Sequence, residues 1–176
     1  SNRYPMTFRY ADYTIRTPHE VIVHPYLIKE HNFRFYLIGI PQEDSWQTEY
    51  GEFFAFSFDR MGDVNYDDMT NFERLPEFDP ETFWSDRMGV RARPEGPQAI
   101  SLEVKDGDES IGDDMVNIPY MRSAPWHHTQ KIEQLDDTWH RVTLNVHITA
   151  ELIRKVRSLG IRNVRNVEPE RLKMYL

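Results

Sequence analysis

Three stretches of the chain decide the fold: His24-Pro25-Tyr26-Leu27-Ile28-Lys29-Glu30, Arg34-Phe35-Tyr36-Leu37-Ile38-Gly39-Ile40 and Phe56-Ser57-Phe58-Asp59-Arg60-Met61. Each is rich in β-branched and aromatic residues, a composition that favours strands. His31-Asn32 separates the first two stretches and suits a tight hairpin. All three also hold a Tyr or an Arg that a core does not require, so the strands can present a binding surface.

The composition is that of a folded protein. The 176 residues are 39% hydrophobic and 13% aromatic, which is enough to build one domain or two small ones. We find no apolar run long enough to span a membrane and no signal-peptide pattern. Cysteine is absent. This excludes disulfides, thiolate zinc sites and cysteine nucleophiles, and we expect a cytoplasmic location.

The charge is unevenly distributed along the chain, although the net charge is −8. Residues 1–60 hold 6 Lys/Arg against 8 Asp/Glu, and residues 61–117 hold 5 against 15. Residues 118–176 hold 10 against 6. The overall negative charge therefore does not exclude a local site for an anionic ligand.

Short β-type runs fill the first part of the chain, at Thr7–Tyr10, Glu20–His24, Phe33–Ile40 and Glu52–Asp59. Their spacing predicts a small barrel over residues 1–66. Residues 67–96 form an acidic connector with several aromatic residues. Within it, Asp79-Pro80-Glu81 has the pattern of a helix start, with an Asp N-cap and Pro at the first position.

Residues 97–176 alternate strand and helix signals. Ala99–Val104 and Trp139–Ile148 alternate as half-buried strands, a short helix is expected near 115–122, and a last strand near 163–168. Thr149 is expected to N-cap a helix that ends before Gly160. This order matches the βαββαβ order of a ferredoxin-like unit. The predicted class is therefore α+β, with a small barrel followed by a ferredoxin-like domain.

Arg34 and Arg60 are the first candidates for ligand binding. Strand alternation places Arg60 on the face of Phe56 and Phe58, and a guanidinium beside aromatic rings suits a phosphate or a stacked base. The alternative is that each Arg reaches solvent and pairs with a carboxylate such as Asp59 or Glu52. The residues alone favour pairing.

Tyrosines and histidines supply further candidates with equally open alternatives. Tyr10, Tyr26 and Tyr36 can donate hydroxyls or stack on a ligand, or they can be packing residues with a wet tip. His24 is a candidate contact or a surface residue at a strand end. In the tail, Trp126-His127-His128-Thr129-Gln130 can contact a ligand, or it can be a turn anchored by Trp126.

No enzyme motif is present. The sequence lacks a Gly-x-Ser-x-Gly elbow, a P-loop, a His-Glu-x-x-His pair and a Rossmann glycine pattern. His19, His24 and His31 lack metal-site spacing. We therefore expect no enzymatic activity, no metal and no cofactor.

The three opening motifs, in their order, resemble those of WYL-domain transcriptional regulators. The family shows a Pro-Tyr-x-Leu strand, then Arg-Trp-Tyr-Leu-x-Gly, then Phe-x-Leu-Asp-Arg-Ile. Here the first motif is matched at Pro25–Leu27, and the second at Arg34–Gly39 with Phe35 in place of tryptophan. The third is matched at Phe56–Met61, with Phe58 and Met61 replacing Leu and Ile. The tail from Trp126 to Gly160 is similar to the family's C-terminal extension.

This resemblance implies the effector-sensing and dimerising region of a bacterial regulator, with an Sm/SH3-like barrel over residues 1–66. The implied effector is a nucleotide-like anion or single-stranded nucleic acid, and the implied state is a homodimer. We find no helix-turn-helix in these residues, so operator DNA would be bound only through one lying upstream; no membrane partner is implied. The implied ligand-binding residues are Tyr10, His24, Tyr26, Arg34, Tyr36 and Arg60. His127, His128 and Gln130 are further candidates. An assembly module without a ligand is the alternative.

Overall fold

Strands dominate both halves of the chain in the computed structural model, which describes residues 3–11, 13, 17–42, 53–107 and 117–176. The chain divides into two units. Unit 1 is formed by Ser1–Ser85 with Val90–Pro94, and unit 2 by Asp86–Gly89 with Glu95–Leu176. Two antiparallel sheets and a few short helices agree with the predicted α+β class. The three-part division at residues 66 and 96 stays a prediction.

Unit 1 contains a five-stranded antiparallel sheet. Its strands are β1 (Met6–Tyr10), β2 (His19–His31), β3 (Arg34–Pro41), β4 (Phe54–Ser57) and β5 (Met61–Tyr66). They lie in the order β4-β3-β2-β1-β5, so β4 and β5 are the two edges. A single 3-10 turn, Phe58–Arg60, joins them.

That connection requires a strongly curved sheet. In a flat sheet, four gaps of about 4.8 Å would separate the edge strands by ~19 Å. The link from Ser57 to Met61 covers at most ~14 Å when fully extended. In agreement, Tyr10 of β1 reaches β4 although two strands lie between them: its ring lies 5.2 Å from that of Phe56. The core of unit 1 lies on this concave side.

The β2–β3 hairpin forms where the sequence predicts it, with Asn32 and Phe33 as its two-residue turn. Both residues have positive φ, 51° and 61°, as a type I′ turn requires. Phe33 is therefore part of the turn, and β3 begins one residue later than expected. Further along β3, Gly39 faces β2 so closely that a Cβ would collide with Val23 and lie 2.6 Å from the His24 carbonyl oxygen.

The segment that follows β5 packs aromatic side chains onto Phe53, within unit 1. Phe78 and Phe83 both contact Phe53, with ring centroids 5.1 Å and 4.9 Å away. Asp79 accepts a bond from the Glu81 N–H at 3.0 Å, yet the expected helix does not form and the segment is a series of turns. The Phe83 N–H donates to the Asp79 carbonyl oxygen at 2.9 Å, and Phe78, which precedes the cap, packs on Phe83 at 5.1 Å, so one turn forms and does not continue as a helix.

In its described residues, 86–89, 95–107 and 117–176, unit 2 contains a four-stranded antiparallel sheet and three short helices. The chain order is β6 (Gln98–Lys105), α1 (Asn117–Ser123), β7 (Lys131–Gln134), β8 (Trp139–Val146), α2 (Ala150–Ser158), β9 (Val164–Glu168) and α3 (Glu170–Lys173). The strands lie in the order β7-β8-β6-β9. Helix α2 buries Leu152 and Val156 against this sheet, as the sequence predicts. No helix in the described ranges is both long and apolar enough to cross a membrane.

The expected cap of α2 is correct in position and wrong in mechanism. Thr149 occupies the N-cap with extended backbone, but its side chain makes no capping hydrogen bond. The residue is buried, and its hydroxyl has no hydrogen-bond partner within the described part of the chain. Burial of Leu152 and Val156 therefore fixes the start of α2 more than capping does.

We predict that Phe33→Gly stabilises the protein by about 0.5–1 kcal/mol. A side chain in the left-handed region costs about 1–2 kcal/mol, of which the greater flexibility of unfolded glycine cancels a part. Phe33 is 100% exposed, so little packing is lost. Urea unfolding measures the change. Phe33→Ala, which removes the ring but keeps the strain, is the control; equal stability of the two variants would contradict the account.

Candidate functional site

The 3-10 turn Phe58–Arg60 breaks the strand that the sequence predicts to continue to Asp59. Strand β4 ends at Ser57, which is buried and whose hydroxyl donates a short hydrogen bond to the Asp59 carboxylate. The Ser57 N–H donates to the Tyr10 hydroxyl at 3.2 Å. The prediction that Phe56, Phe58 and Arg60 share a face is therefore wrong, because the turn rotates Phe58 towards solvent.

Arg60 lies between two tyrosine rings. Its guanidinium carbon is 5.0 Å from the centre of the Tyr10 ring and 4.6 Å from that of Tyr13. Both distances are typical of cation–π contacts. The Nε atom of Arg60 is buried and has no hydrogen-bond partner within the described part of the chain. A cation that lies against ring faces in this way keeps its Nε–H donor available for an anion.

Arg34, by contrast, pairs with a carboxylate, as one sequence alternative predicts. Its Nη1 lies 3.6 Å from Asp59 and donates to the Tyr13 hydroxyl at 3.4 Å. The bond to Tyr13 and the charge of Asp59 raise the pKa of Arg34. The Ser57 hydroxyl, more than Arg34, holds the pKa of Asp59 below its ordinary value. The other proposed partner, Glu52, lies outside the described residues.

The structure brings four of the predicted residues to one place. Tyr10 and Arg60 are in contact, and Arg34 shares Tyr13 with Arg60. Tyr36 stands opposite Ser57 in the β3–β4 register, and strand alternation puts it on the side of Arg34. We call Tyr10, Tyr13, Arg34, Tyr36 and Arg60 the arginine–tyrosine cluster. The sequence analysis did not single out Tyr13. The one sign of its role was that it is an aromatic residue just beyond the first strand.

His24 and Tyr26 contact a different part of unit 1. The His24 ring stacks on Phe72 at 4.4 Å with 5° between the planes, and burial lowers the pKa of His24. The Tyr26 hydroxyl accepts a bond from the Leu75 N–H at 3.1 Å. Both residues therefore hold the acidic connector, residues 67–96, against the sheet. His24 also bonds Gln42 at 2.9 Å and Tyr26 contacts Phe53, and none of their described contacts involves Arg34 or Arg60.

Arg74 is a second cation that sequence reasoning overlooked. Its guanidinium lies 5.2 Å from the Tyr26 ring and 5.6 Å from the Phe78 ring, and it donates a short bond to the Tyr26 carbonyl oxygen. Nothing in the local sequence marked Arg74, because its ring partners come from a distant strand and from the turns that follow it. The cation–π contact with Arg74 explains how Tyr26 can be buried beside a charged guanidinium group.

The three candidates in unit 2 belong to a turn that precedes β7. Gln130 accepts a bond from the Trp126 N–H at 2.9 Å and donates to the Met121 carbonyl oxygen at 2.7 Å. His127 is buried and its Nδ1 lies 2.8 Å from the Thr129 hydroxyl, while His128 is exposed. This agrees with the alternative of a turn anchored in the core. Across the described ranges, no group of three or more His, Asp or Glu could hold a metal ion.

We predict that Ser57→Ala raises the pKa of the Asp59 carboxyl more than Arg34→Ala does, because the Ser57 hydroxyl is the main cause of its lowering. A carboxyl whose pKa is lowered by folding stabilises the protein above its unfolded pKa, and this contribution is lost as the pH falls through the folded pKa. Titration of the carboxyl carbon by NMR measures each value. A larger effect of Arg34→Ala would contradict the assignment.

We predict that Gln130→Ala lowers the free energy of unfolding by about 2 kcal/mol, because it leaves two part-buried backbone groups without partners. Gln134→Ala is the matched control, since Gln134 bonds only an exposed carbonyl of Asp136 at 3.1 Å. Thermal unfolding compares the two variants. If Gln130→Ala is as stable as the control, Gln130 is not a structural residue.

Comparison with known proteins bears on unit 1 above all. Residues 1–66 match the family model of the WYL domain. Among solved structures, the chain is similar to the proteasome accessory factor B/C (PafBC) of Arthrobacter aurescens, with a TM-score of 0.41 and 16% sequence identity. That likeness covers 98% of this chain and 24% of the other, so the chain spans about a quarter of its length. No curated protein matches the chain. The first 66 residues therefore match the WYL domain, as the order of the three strand motifs predicts.

Proposed function

We propose that unit 1 senses an anionic, nucleotide-like or single-stranded nucleic-acid effector for a bacterial WYL-type transcriptional regulator. The WYL-domain match supports a regulatory sensing role. The observation that carries the ligand class is Arg60, whose charge is held between Tyr10 and Tyr13 while its buried Nε has no described partner. The proposed role is binding and not catalysis.

A phosphate group would supply the hydrogen-bond acceptor that the Arg60 Nε–H group lacks. A buried donor without a partner is destabilising, and a phosphate oxygen would accept its hydrogen bond. The guanidinium presents a planar fork that matches phosphate geometry, and its low hydration makes it suited to a part-buried site. Because the ring faces already hold the cation in place, little side-chain freedom remains to be lost on binding.

Arg34 and Tyr36 extend this site in the proposal. Arg34 is half exposed and shared between Asp59 and Tyr13, so it can contact an anion without leaving a buried carboxylate unpaired. Tyr36 can donate its hydroxyl or stack on a base. We do not carry His24, Tyr26, His127, His128 and Gln130 into the proposed site, because their described bonds hold other parts of the fold.

The architecture that the family implies belongs to the same proposal. The curved sheet of unit 1, with its edges joined by three residues, supports an Sm/SH3-like barrel. The strand order β7-β8-β6-β9, with α1 and α2 between strands, supports a ferredoxin-like unit 2. Dimerisation through the C-terminal region is part of the proposal, and operator DNA would be bound only through an upstream helix-turn-helix.

We predict that Arg60→Gln weakens binding of a short single-stranded oligonucleotide about tenfold, because a charge-assisted hydrogen bond is lost. The slope of log affinity against log salt should also fall by about 0.7. Fluorescence titration over a range of salt concentrations measures both. Nucleoside triphosphate and inorganic polyphosphate, titrated in parallel, distinguish a base-bearing ligand from any polyanion.

The matched control is Arg9→Gln. Arg9 precedes Tyr10 on β1, so its side chain lies on the opposite face of the strand, where it pairs with Asp63 at 3.9 Å. Its loss should leave affinity and salt slope unchanged. Arg60→Lys keeps the charge and should retain part of the affinity. If Arg60→Gln binds every anion as the unsubstituted protein does, the site assignment is wrong.

An assembly module is the second candidate, and one surface favours it. The tip of the β2–β3 hairpin exposes Phe33 completely, and Phe35 and Phe58 are also exposed, with ring centroids 6.3 Å apart. Sedimentation at several concentrations tests this. A dimer that Phe35→Ser dissociates and that no anion affects would favour assembly over sensing.

A further inference from the structure

Unit 2 contains a cavity that the proposed function does not use. It measures about 400 Å³, near the small end of the range of about 300–1,000 Å³ typical of ligand sites. It lies where α2 ends, the chain turns through Gly160 and the 3-10 turn Ile161–Asn163, and β9 begins. The residues that line it are Val156, Arg157, Gly160, Ile161, Val164, Arg165, Asn166, Val167, Lys173 and Leu176.

The floor of this cavity is apolar and rigid. Val156 and Val167 are buried members of the core of unit 2, and Val164 packs against that core. Gly160 has φ 85°, and Asn163 donates a hydrogen bond to the Leu159 carbonyl oxygen at 2.9 Å, so the turn that forms one wall is fixed. An apolar body can therefore enter a preformed surface without breaking any hydrogen bond.

Cations surround the mouth. Arg157, Arg165 and Lys173 line the cavity, and no acidic residue is among the described residues that do so. Arg165 pairs at 2.7 Å with Glu103, which Arg141 also contacts, and lies over Trp139, and Lys173 is 3.5 Å from Glu170. Arg157 donates to the Tyr175 carbonyl oxygen at 2.9 Å, a neutral acceptor. Its described hydrogen bonds therefore leave it with a positive charge for a ligand.

An exposed hydrophobic residue completes the mouth. Ile161 lines the cavity although 82% of its surface is open to solvent. A ligand with an apolar body that covers this side chain would remove apolar surface from water, which favours binding. An apolar floor, an apolar lip and a cationic rim together select a ligand that has an apolar body and a negative head.

We infer that this cavity binds a small amphipathic anion, with its apolar body against Val156, Val164 and Ile161 and its carboxylate or phosphate head beside Arg157. The site is separate from the arginine–tyrosine cluster, because every residue that lines it belongs to unit 2. Unit 2 thus contributes a second, chemically different ligand site to the protein.

Calorimetric titration of the full chain tests the inference with three octyl probes, each kept below its micelle-forming concentration. Octanoate and octyl phosphate should each bind with one-to-one stoichiometry, and their relative affinity distinguishes a carboxylate from a phosphate ligand. Octyltrimethylammonium, with the same tail and the opposite charge, should bind at least about tenfold more weakly, since a charge-assisted contact is lost.

Two variants locate the binding. Ile161→Glu places a carboxylate on the lip and should weaken octanoate binding about tenfold. Its matched control is Ile28→Glu at an exposed isoleucine of unit 1, which should change nothing. Arg157→Gln should weaken binding by a similar factor, and Arg157→Lys should restore part of it.

Amide chemical shifts complete the test, because they show both folding and location in each variant. Octanoate should move the signals of residues 156–167 and 173–176 and leave those of unit 1 unchanged. No binding of either anion, equal binding of the cation, or unchanged binding by folded Ile161→Glu would overturn the inference. Oligonucleotide binding that depends on Arg60 is unaffected by any of these outcomes.

Discussion

The 3-10 turn Phe58–Arg60 is the constraint on which the first unit depends. It joins the two edges of a five-stranded sheet with three residues, so the sheet has to curve. Curvature brings Tyr10 of β1 to the end of β4, where its hydroxyl accepts the Ser57 N–H. The same turn carries Arg60 onto the Tyr10 ring. The fold and the candidate site therefore share one structural cause.

The turn also explains why Arg34 and Arg60 make different contacts. Ser57 and Arg34 both bind Asp59, so the carboxylate within the turn already has a hydrogen-bond donor and a cation as partners. Arg60 is left with ring faces on either side, and aromatic quadrupoles hold a cation without taking its hydrogen-bond donors. In our proposal, this position between two rings makes Arg60 the receptor for the anion.

Local patterns predicted most of the secondary structure and less of the site. Alternation and turn residues predicted the β2–β3 hairpin, the strands of unit 2 and the buried face of α2, because those signals act over a few residues. They failed at Ser57, where a hydrogen bond between side chains accompanies the end of a strand, and at Asp79, where the start signal gives one turn and no continuing helix. His24 and Tyr26 lie outside the arginine–tyrosine cluster because residues 72–78 cover them. No local sequence pattern predicts the path of that segment across the sheet.

The NMR signal of the Arg60 Nε–H group gives the most direct test of the central claim. In the free protein this donor is buried without a described partner, so its proton resonance should lie upfield of hydrogen-bonded arginines. Titration with a short single-stranded oligonucleotide should move it downfield and slow its exchange with water, as a phosphate oxygen accepts the bond. The Arg9 signal should stay in place. An Arg60 signal that is unchanged at saturation, while the protein demonstrably binds the oligonucleotide, would contradict the account.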